Sequence, residues 1–332
     1  MERDRSTDQL ERQKDTQMTF LPQKATEPTM YFVGVTTSKS SIMNVFPRWV
    51  GALGVDAVLR GIDVQIHAPG EHYRQVVEFI KNDPLSSGAL VTTHKIDLLT
   101  AARDMFDGLD EYAEILGEVS SISKRGGQLI GHAKDPISSG LALEAFLPKN
   151  WWKETAAEAL IFGAGGSALA VSMYMMDPRH GPNRPGKVVV TNRSKPRLEE
   201  MQRIHEQLDY GVPCEYHHCP TFEENDRVLA AAPPCSLVIN ATGLGKDRPG
   251  SPITDEAVMP QKGLAWDFNY RGDLKFLEQA RRQERQRQLV VEDGWIYFIH
   301  GWTQVIAEVF HLEIDAEKLD ELDRLATEAR GQ

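Results

Sequence analysis

The run with the most specific chemical meaning is Ile161-Phe162-Gly163-Ala164-Gly165-Gly166-Ser167-Ala168, in which Gly-x-Gly-x-x-Ala links an apolar segment to one rich in small and apolar residues. A strand that enters a helix through this spacing can hold a dinucleotide. The first glycine permits the tight turn, the second lets backbone approach a pyrophosphate, and the small last position lets helix and strand pack closely. Unpaired N–H groups at the helix start then hold the phosphates. A plain glycine turn is the alternative, and the strand-to-helix context favours the nucleotide. The next apolar segment ends in Val190-Thr191-Asn192-Arg193-Ser194-Lys195-Pro196-Arg197. A cofactor with a free ribose 2′-hydroxyl asks for Asp or Glu at that tip. Asn192 and Arg193 stand there instead, with Lys195 and Arg197 nearby, and guanidinium groups suit the 2′-phosphate of NADP better than they suit NAD. Basic side chains that merely meet water are the competing reading of the same loop.

The elements that position these groups alternate. Met30–Val35, Ala57–Asp63 and Gly88–Val91 read as strands. Between and after them, Ile42–Leu53, Tyr73–Asn82 and Ile96–Phe106 carry helical spacing, and Pro47 is expected in the first turn of its helix. A short strand is expected at Val119–Ser123, a turn at Gly126-Gly127, a strand at Gln128–Gly131, and a helix after Asp135. The pattern restarts near Leu147–Trp152 with strands at Ala159–Phe162, Lys187–Thr191, Ser236–Asn240 and Leu264–Phe268, a helix at Ala168–Met176, and amphipathic helices in the last ~30 residues. Strand and helix alternating at this pace imply βαβ units and a largely parallel sheet. Residues 1–28 read as a disordered or loosely attached tail.

Composition narrows the function. The 332 residues carry 48 acids against 37 Lys plus Arg, a formal net charge of -11, which makes nucleic acid or anionic lipid a poor partner. Three cysteines at no framework spacing fit a reducing compartment. No apolar run approaches a membrane span, and the first residues lack a signal-peptide core. A soluble, cytoplasmic protein of two domains is expected. Cys214-Glu-Tyr-His217-His218-Cys219 lacks a second ligand pair and reads as a strand leading to a loop, so no metal is expected. Arg281-Arg282-Gln-Glu-Arg285-Gln-Arg287 reads as a solvated helix face.

From about Gly34 to Phe310 the chain resembles the shikimate/quinate dehydrogenase family. That family's dinucleotide turn, Gly-Ala-Gly-Gly, matches Gly163 to Gly166, and its Asn-Arg-Ser tip matches Asn192 to Ser194. Asn240-Ala241-Thr242-Gly243 matches its Asn-Ala-Thr motif before the nicotinamide, and Asp267-Phe268-Asn269-Tyr270 matches Asp-x-x-Tyr. More loosely, Ser38-Lys39-Ser40 resembles the family's carboxylate grip. Val91-Thr92-Thr93-His94-Lys95 resembles the motif holding the catalytic lysine, one residue shorter than usual, and Gly131-His132-Ala133-Lys134-Asp135 resembles the motif holding the catalytic aspartate.

The resemblance implies Lys95 and Asp135 as a catalytic pair, an amine to take the substrate's hydroxyl proton and a carboxylate to orient it. It implies Ser38, Ser40, Thr92, Ser120, Tyr270 and Gln304 as substrate-binding. It implies Gly163, Ala164, Gly165, Gly166, Ser167, Asn192, Arg193, Ser194, Arg197, Ala241, Thr242, Gly243 and Gly294 as NADP-binding. His94 is a lesser candidate for assisting proton transfer. The fold implied is α/β: an N-terminal α/β substrate-binding domain at 29–145, completed by C-terminal helices at 303–332, and a Rossmann-type domain at 146–302, with the active site in the cleft between them. The implied activity is NADP-dependent interconversion of a shikimate-like hydroxy acid and its keto form, as in aromatic amino acid biosynthesis, by a monomer or homodimer. An NAD-dependent quinate-type enzyme, or a non-catalytic binding or regulatory protein on the same fold, are the alternatives.

Several hydroxyl readers of the family are missing. Leu90 stands for an asparagine, Ser120 for another, Ala133-Lys134 for Asn-Thr, and Gly301 for a glutamine that Gln304, about one turn on, is expected to replace. Lys134 is expected to bring a second positive charge to the pocket. These departures favour a small ring acid that need not be shikimate, because a site built to hydrogen-bond a hydroxyl discriminates by leaving groups unpaired when it is absent.

Overall fold

A computed structural model describes residues 21–246 and 248–330, and the first 20 residues of the expected tail lie outside the described residues. The chain divides into two compact units, one running to Lys134 and resuming at Trp302, the other spanning Asp135–Gly301.

The first unit is built on a six-stranded sheet. Its strands are β1 (Thr29–Gly34), β2 (Val58–Asp63), β3 (Ser86–Val91), β4 (Gly108–Leu109), β5 (Ser121–Arg125) and β6 (Gln128–His132), in the order β2-β1-β3-β5-β6-β4. β1 lies parallel between β2 and β3, whereas β5 is antiparallel to both β3 and β6. The expectation of a largely parallel sheet therefore holds for only part of this unit. Gly126 and Gly127 have φ of 57° and 82° and join β5 to β6 as a two-residue hairpin, too short for the crossover that a parallel pair requires. β5 also starts two residues later than expected, at Ser121.

Every residue of β1 is buried, so its apolar run sits in the middle of the core. The helix Ile42–Leu53 buries Ile42, Val45, Phe46 and Trp49, and the Trp49 indole N–H donates to Leu322 O (2.7 Å) in the helix Ala316–Arg330. Pro47 lies in the second turn rather than the first, five residues beyond Ile42, where the helix begins as expected. Residues 25–29 are held against the unit. The Ala25 N–H donates to the Asp83 carboxylate at 3.0 Å, and the Tyr31 hydroxyl, in β1, donates to the same group at 2.6 Å.

The second unit carries strands β7 (Ala159–Phe162), β8 (Val188–Asn192), β9 (Cys214–His218), β10 (Leu237–Asn240), β11 (Leu264–Asp267) and β12 (Val290–Glu292), all parallel, in the order β12-β11-β10-β7-β8-β9. Read from the other edge, this is third, second, first, fourth, fifth, sixth: the doubly wound order, with its switch point between β7 and β10. β7, β10 and β11 are buried along their whole length and are apolar up to the polar residues Asn240 and Asp267 that end β10 and β11, as suits parallel strands covered on both faces.

Candidate active site

In the first unit the predicted residues gather at one end of the sheet. Ser38 and Ser40 follow β1, Thr92 and Lys95 follow β3, Ser120 precedes the antiparallel β5, and Lys134 follows β6. Pairing of Leu90 with Ser121 and of Ser121 with His132 puts these termini side by side.

The loop after β1 is fixed by Thr37, whose N–H and hydroxyl both donate to the Asp63 carboxylate (2.8 and 2.6 Å). Ser38 is exposed and Ser40 half-buried on that anchored loop. The Thr92 N–H donates to Val33 O (2.9 Å), which ties the lysine loop to β1. Thr93 then takes φ +60°, and the His94 N–H turns back to Thr92 O at 2.5 Å, a three-residue turn that opens the helix Lys95–Ala102. A non-glycine residue in this conformation costs roughly 1–3 kcal/mol, and here it sets the start of the helix that carries Lys95. His94 is buried at 1 % exposure, its Nδ1 3.2 Å from the Tyr73 hydroxyl, and burial lowers its pKa from the ordinary value. It faces the core of the unit.

Ser120 is buried, and its hydroxyl accepts from the Lys134 N–H (2.8 Å), so it fixes the residue before Asp135. Lys134 is part of an ionic cluster. Its Nζ lies 2.6 Å from Glu308 Oε2. The other Glu308 oxygen is 3.4 Å from His132 Nε2, and His132 Nδ1 is 3.6 Å from Asp110 Oδ2. Asp110 also caps the helix Glu111–Leu116 by accepting from the Ala113 N–H and holds the Ala133 N–H. Gln304 is half-buried, one helical turn before Glu308. Glu308, which brings Lys134 to this helix, escaped the sequence reading. An acid at i+4 from a polar helix position is the only signal it left.

In the second unit, the predicted nucleotide residues also lie at one end, beyond the carboxyl ends of β7, β8, β10 and β12. Gly163 has φ +106°, and a Cβ built there would sit 2.8 Å from Ala241 O, so only glycine lets the turn after β7 lie against the turn after β10. A Cβ on Gly165 would meet open space, and no side chain caps the helix Gly166–Met176. Its first N–H groups are therefore presented at the switch point, and these residues fit a dinucleotide's pyrophosphate. Asn192 donates from Nδ2 to Ser194 O (3.2 Å), which shapes the tip of β8, and Arg193 and Arg197 are exposed there. A Cβ on Gly294 would lie 2.1 Å from Phe268 O, so this glycine keeps the turn after β12 packed on the turn after β11.

Tyr270 is half-buried in an aromatic cluster, with ring centroids 5.5 Å from Trp295 and 5.0 Å from Phe298. Asp135 is the first residue of the helix Asp135–Phe146 and belongs to this second unit, so the two members of the predicted pair are carried by different units.

Asp267, which the sequence names only as the start of the Asp-x-x-Tyr motif, has a structural environment of its own. It is fully buried at the end of β11, and burial pushes its pKa up to about 7, against the hydrogen bonds it receives. The Cys/His run forms β9 and the start of the loop after it: the Cys214 thiol lies 3.4 Å from Met176 Sδ, and His218 Nε2 lies 3.1 Å from Arg193 O. Among the described residues no group of His, Cys, Asp and Glu is arranged to hold a metal ion, and no helix is long and apolar enough to cross a membrane. Within the arginine-rich run, Arg282 pairs with Glu278 on its own helix.

No family model matches the chain. It is 29% identical over 197 residues to the shikimate dehydrogenase (NADP(+)) of Symbiobacterium thermophilum, covering 58% of this chain and 61% of that relative. The chain thus spans about three-fifths of the length of that relative. It is 26% identical over 228 residues to the shikimate dehydrogenase (NADP(+)) of Streptococcus thermophilus, covering 68% and 74%. Its fold matches that of the quinate dehydrogenase from Corynebacterium glutamicum in complex with NAD, with a TM-score of 0.72, 21% identity, and coverage of 91% of this chain and 99% of that one.

Proposed function

We propose, for a chain that belongs to the shikimate/quinate dehydrogenase family, that it is an NADP-dependent oxidoreductase interconverting a small cyclic hydroxy acid and its keto form. The observation that carries this reading is the glycine turn Gly163–Gly166 at the switch point of a doubly wound sheet, packed against the Ala241 carbonyl. Gly165, Gly166 and Ser167 would hold the pyrophosphate with backbone N–H groups, and Arg193 with Arg197 the 2′-phosphate. Ala241–Gly243 and Gly294 would border the nicotinamide. The bound cofactor supplies a hydride acceptor or donor at that ring.

On the protein side, Lys95 takes the hydroxyl proton during oxidation and returns it in the reverse direction. Asp135 is the acid assigned to the same proton transfer, and acid–base assistance of this kind contributes on the order of 10²–10⁴-fold. Ser38 and Ser40, on the loop anchored by Thr37 and Asp63, grip the carboxylate. Thr92 and Tyr270 complete the substrate contacts, and Gln304 stands in for the family's glutamine. Ser120 serves this site through Lys134, since its hydroxyl accepts that residue's N–H. The substitutions at Leu90 and Ala133-Lys134 favour a small ring acid that need not be shikimate.

The test is a panel of ring alcohols and ring ketones, shikimate and quinate included, with NADP(H) and NAD(H), read by absorbance of the reduced cofactor. Turnover of a ring acid with NADP preferred over NAD is expected. Tighter binding of NAD than of NADP would overturn the role of Arg193, and dedicated efficiency on shikimate alone would overturn the altered specificity.

A further inference from the structure

A chain of hydrogen bonds leads from the buried end of β11 to the turn that backs onto the nucleotide loop. Asp267 is completely buried, and its Oδ1 accepts from Asn240 Nδ2 (3.1 Å) and from the Asn269 N–H (2.9 Å), while its Oδ2 is buried with no hydrogen-bond partner. Asn240, also fully buried, uses the rest of its amide on the turn that follows it. Its Oδ1 accepts from the Thr242 N–H (3.2 Å) and hydroxyl (2.7 Å), and its Nδ2 donates to Leu244 O (3.1 Å). Asn269 Nδ2 donates to the same Leu244 carbonyl at 2.9 Å.

This arrangement fixes which way the Asn240 amide faces. With the amide reversed, its oxygen would meet Asp267 Oδ1 and Leu244 O, both acceptors, and its nitrogen would meet the Thr242 N–H, a donor. Asp267, together with the Leu244 carbonyl, thus selects the orientation in which Asn240 can hold Thr242. The turn so held places the Ala241 carbonyl where Gly163 must lack a Cβ, so its shape is transmitted to the dinucleotide loop by direct backbone packing.

We propose that Asp267 is a positioning residue for the nucleotide: through Asn240 it sets the turn Ala241–Leu244 against Gly163, and so shapes the nicotinamide end of the binding surface. The role rests on the NADP-dependent reading above. It also gives a reason for a carboxyl group within a strand that is otherwise apolar, where an unpartnered buried oxygen is a cost to folding.

The test uses the full chain and three variants, with NADP affinity measured by calorimetry on protein whose folding is checked by circular dichroism. Asp267→Ala removes the acceptor shared by the Asn269 N–H and one Asn240 amide hydrogen, leaving Asn240 Nδ2 only its bond to Leu244 O, a loss of about 1–3 kcal/mol at the link, which corresponds to roughly 5–150-fold in NADP affinity where it is expressed there. The expected result is a rise of at least about tenfold in the NADP Kd and KM. Asp267→Asn can accept the same two N–H bonds with its amide oxygen, and it is expected to restore affinity to within about threefold of wild type. If Asp267→Ala does not fold, Asn240→Ala severs the same link from the other side and carries the test with the same expected rise.

A role confined to folding would lower the melting temperature and leave the Kd of the folded variant unchanged, and that result overturns the inference while leaving the enzyme reading intact. Wild-type protein that binds neither NADP nor NAD overturns both.

Discussion

Replacing Glu308 by glutamine keeps the shape of the side chain and removes its charge from the cluster that surrounds Lys134 and His132. The Lys134–Glu308 contact is 2.6 Å, with side chains 13% and 28% exposed, so both charges have given up most of their water. A charged hydrogen bond contributes about 1.5–3 kcal/mol, and breaking a fully buried pair costs about 3–5 kcal/mol because the remaining charge is stranded. Glu308 keeps some contact with solvent, which argues for the charged-hydrogen-bond figure over the fully buried one, about 2 kcal/mol. For a unit of roughly 150–250 residues this lowers the melting temperature by about 4–8 °C.

The pH dependence identifies the cause. Burial raises the Glu308 carboxyl pKa and so does Asp110, but the Lys134 hydrogen bond and the charges of His132 and Lys134 outweigh them, and the net shift is downward. A carboxyl group lowered on folding contributes stability above its unfolded value and loses it as the pH falls through the folded value. The gap in melting temperature between wild type and Glu308→Gln should therefore be steady in neutral buffer and close progressively below about pH 4.5. Lys134→Met combined with Glu308→Gln should cost less than the sum of the single changes by at least about 1 kcal/mol, since neither charge is then stranded. Additivity within about 0.5 kcal/mol, or a gap that persists in acid, would refute the reasoning.

Lys95→Ala should lower turnover at least ~100-fold while NADP binding, followed by calorimetry, survives; equal loss of both would mean that the residue builds the unit rather than moving a proton. Arg193→Ala should weaken NADP about tenfold or more and leave NAD within a few-fold, because a guanidinium on a 2′-phosphate is lost only with the phosphorylated cofactor; parallel titrations decide it. His205, held by Ser172 and Tyr216, is pushed by burial down to about 4. Against an unfolded value near 6.5, it should contribute roughly 3 kcal/mol above that pH and lose it as the pH falls from about 6.5 to about 4. A His205 NMR titration with a midpoint near 6.5 would exclude this.

Where local chemistry determines an element, the sequence was readable. Ile42–Leu53 and Ala159–Phe162 were placed to the residue, the first by its apolar period and the second by an apolar run ending at Gly163. β4 was not expected, because two residues paired with β6 have no pattern of their own. The short helix after it announces itself only through the cap at Asp110. Among the site residues, the nucleotide turns were legible because glycine conformation and strand-to-helix geometry are local. The use of the Ser120 hydroxyl by the Lys134 backbone was not, since it depends on how three strands pair. The shortened lysine loop was visible as a missing residue, but its closure through Thr93 in the left-handed region was not, because bulky residues avoid that conformation unless their surroundings impose it. Asp267 was read only as the start of a motif ending in Tyr270. The available signal was a carboxylate at the end of the apolar strand Leu264–Asp267.

The departures from the family pattern are of two physical kinds, and they bear differently on the ligand. Leu90 is 8% exposed and its register pairs it with Phe32 and Ser121, so a polar reader has been exchanged for an apolar side chain that asks for no partner. Such a change removes a preference without creating one. Lys134 is the opposite case, because a charge introduced at the end of β6 must be answered, and Glu308 answers it. The pair shares Glu308 with His132 and its helix with Gln304, so the charge balance of this wall is set within the protein before any ligand arrives. A substrate carboxylate drawn to Lys134 would have to compete with Glu308 at 2.6 Å, which leaves the loop of Ser38 and Ser40 as the better carboxylate site. The second positive charge expected from Lys134 is thus already neutralised. The proposed shift in specificity then rests more on hydroxyl readers that are gone than on an added anion site.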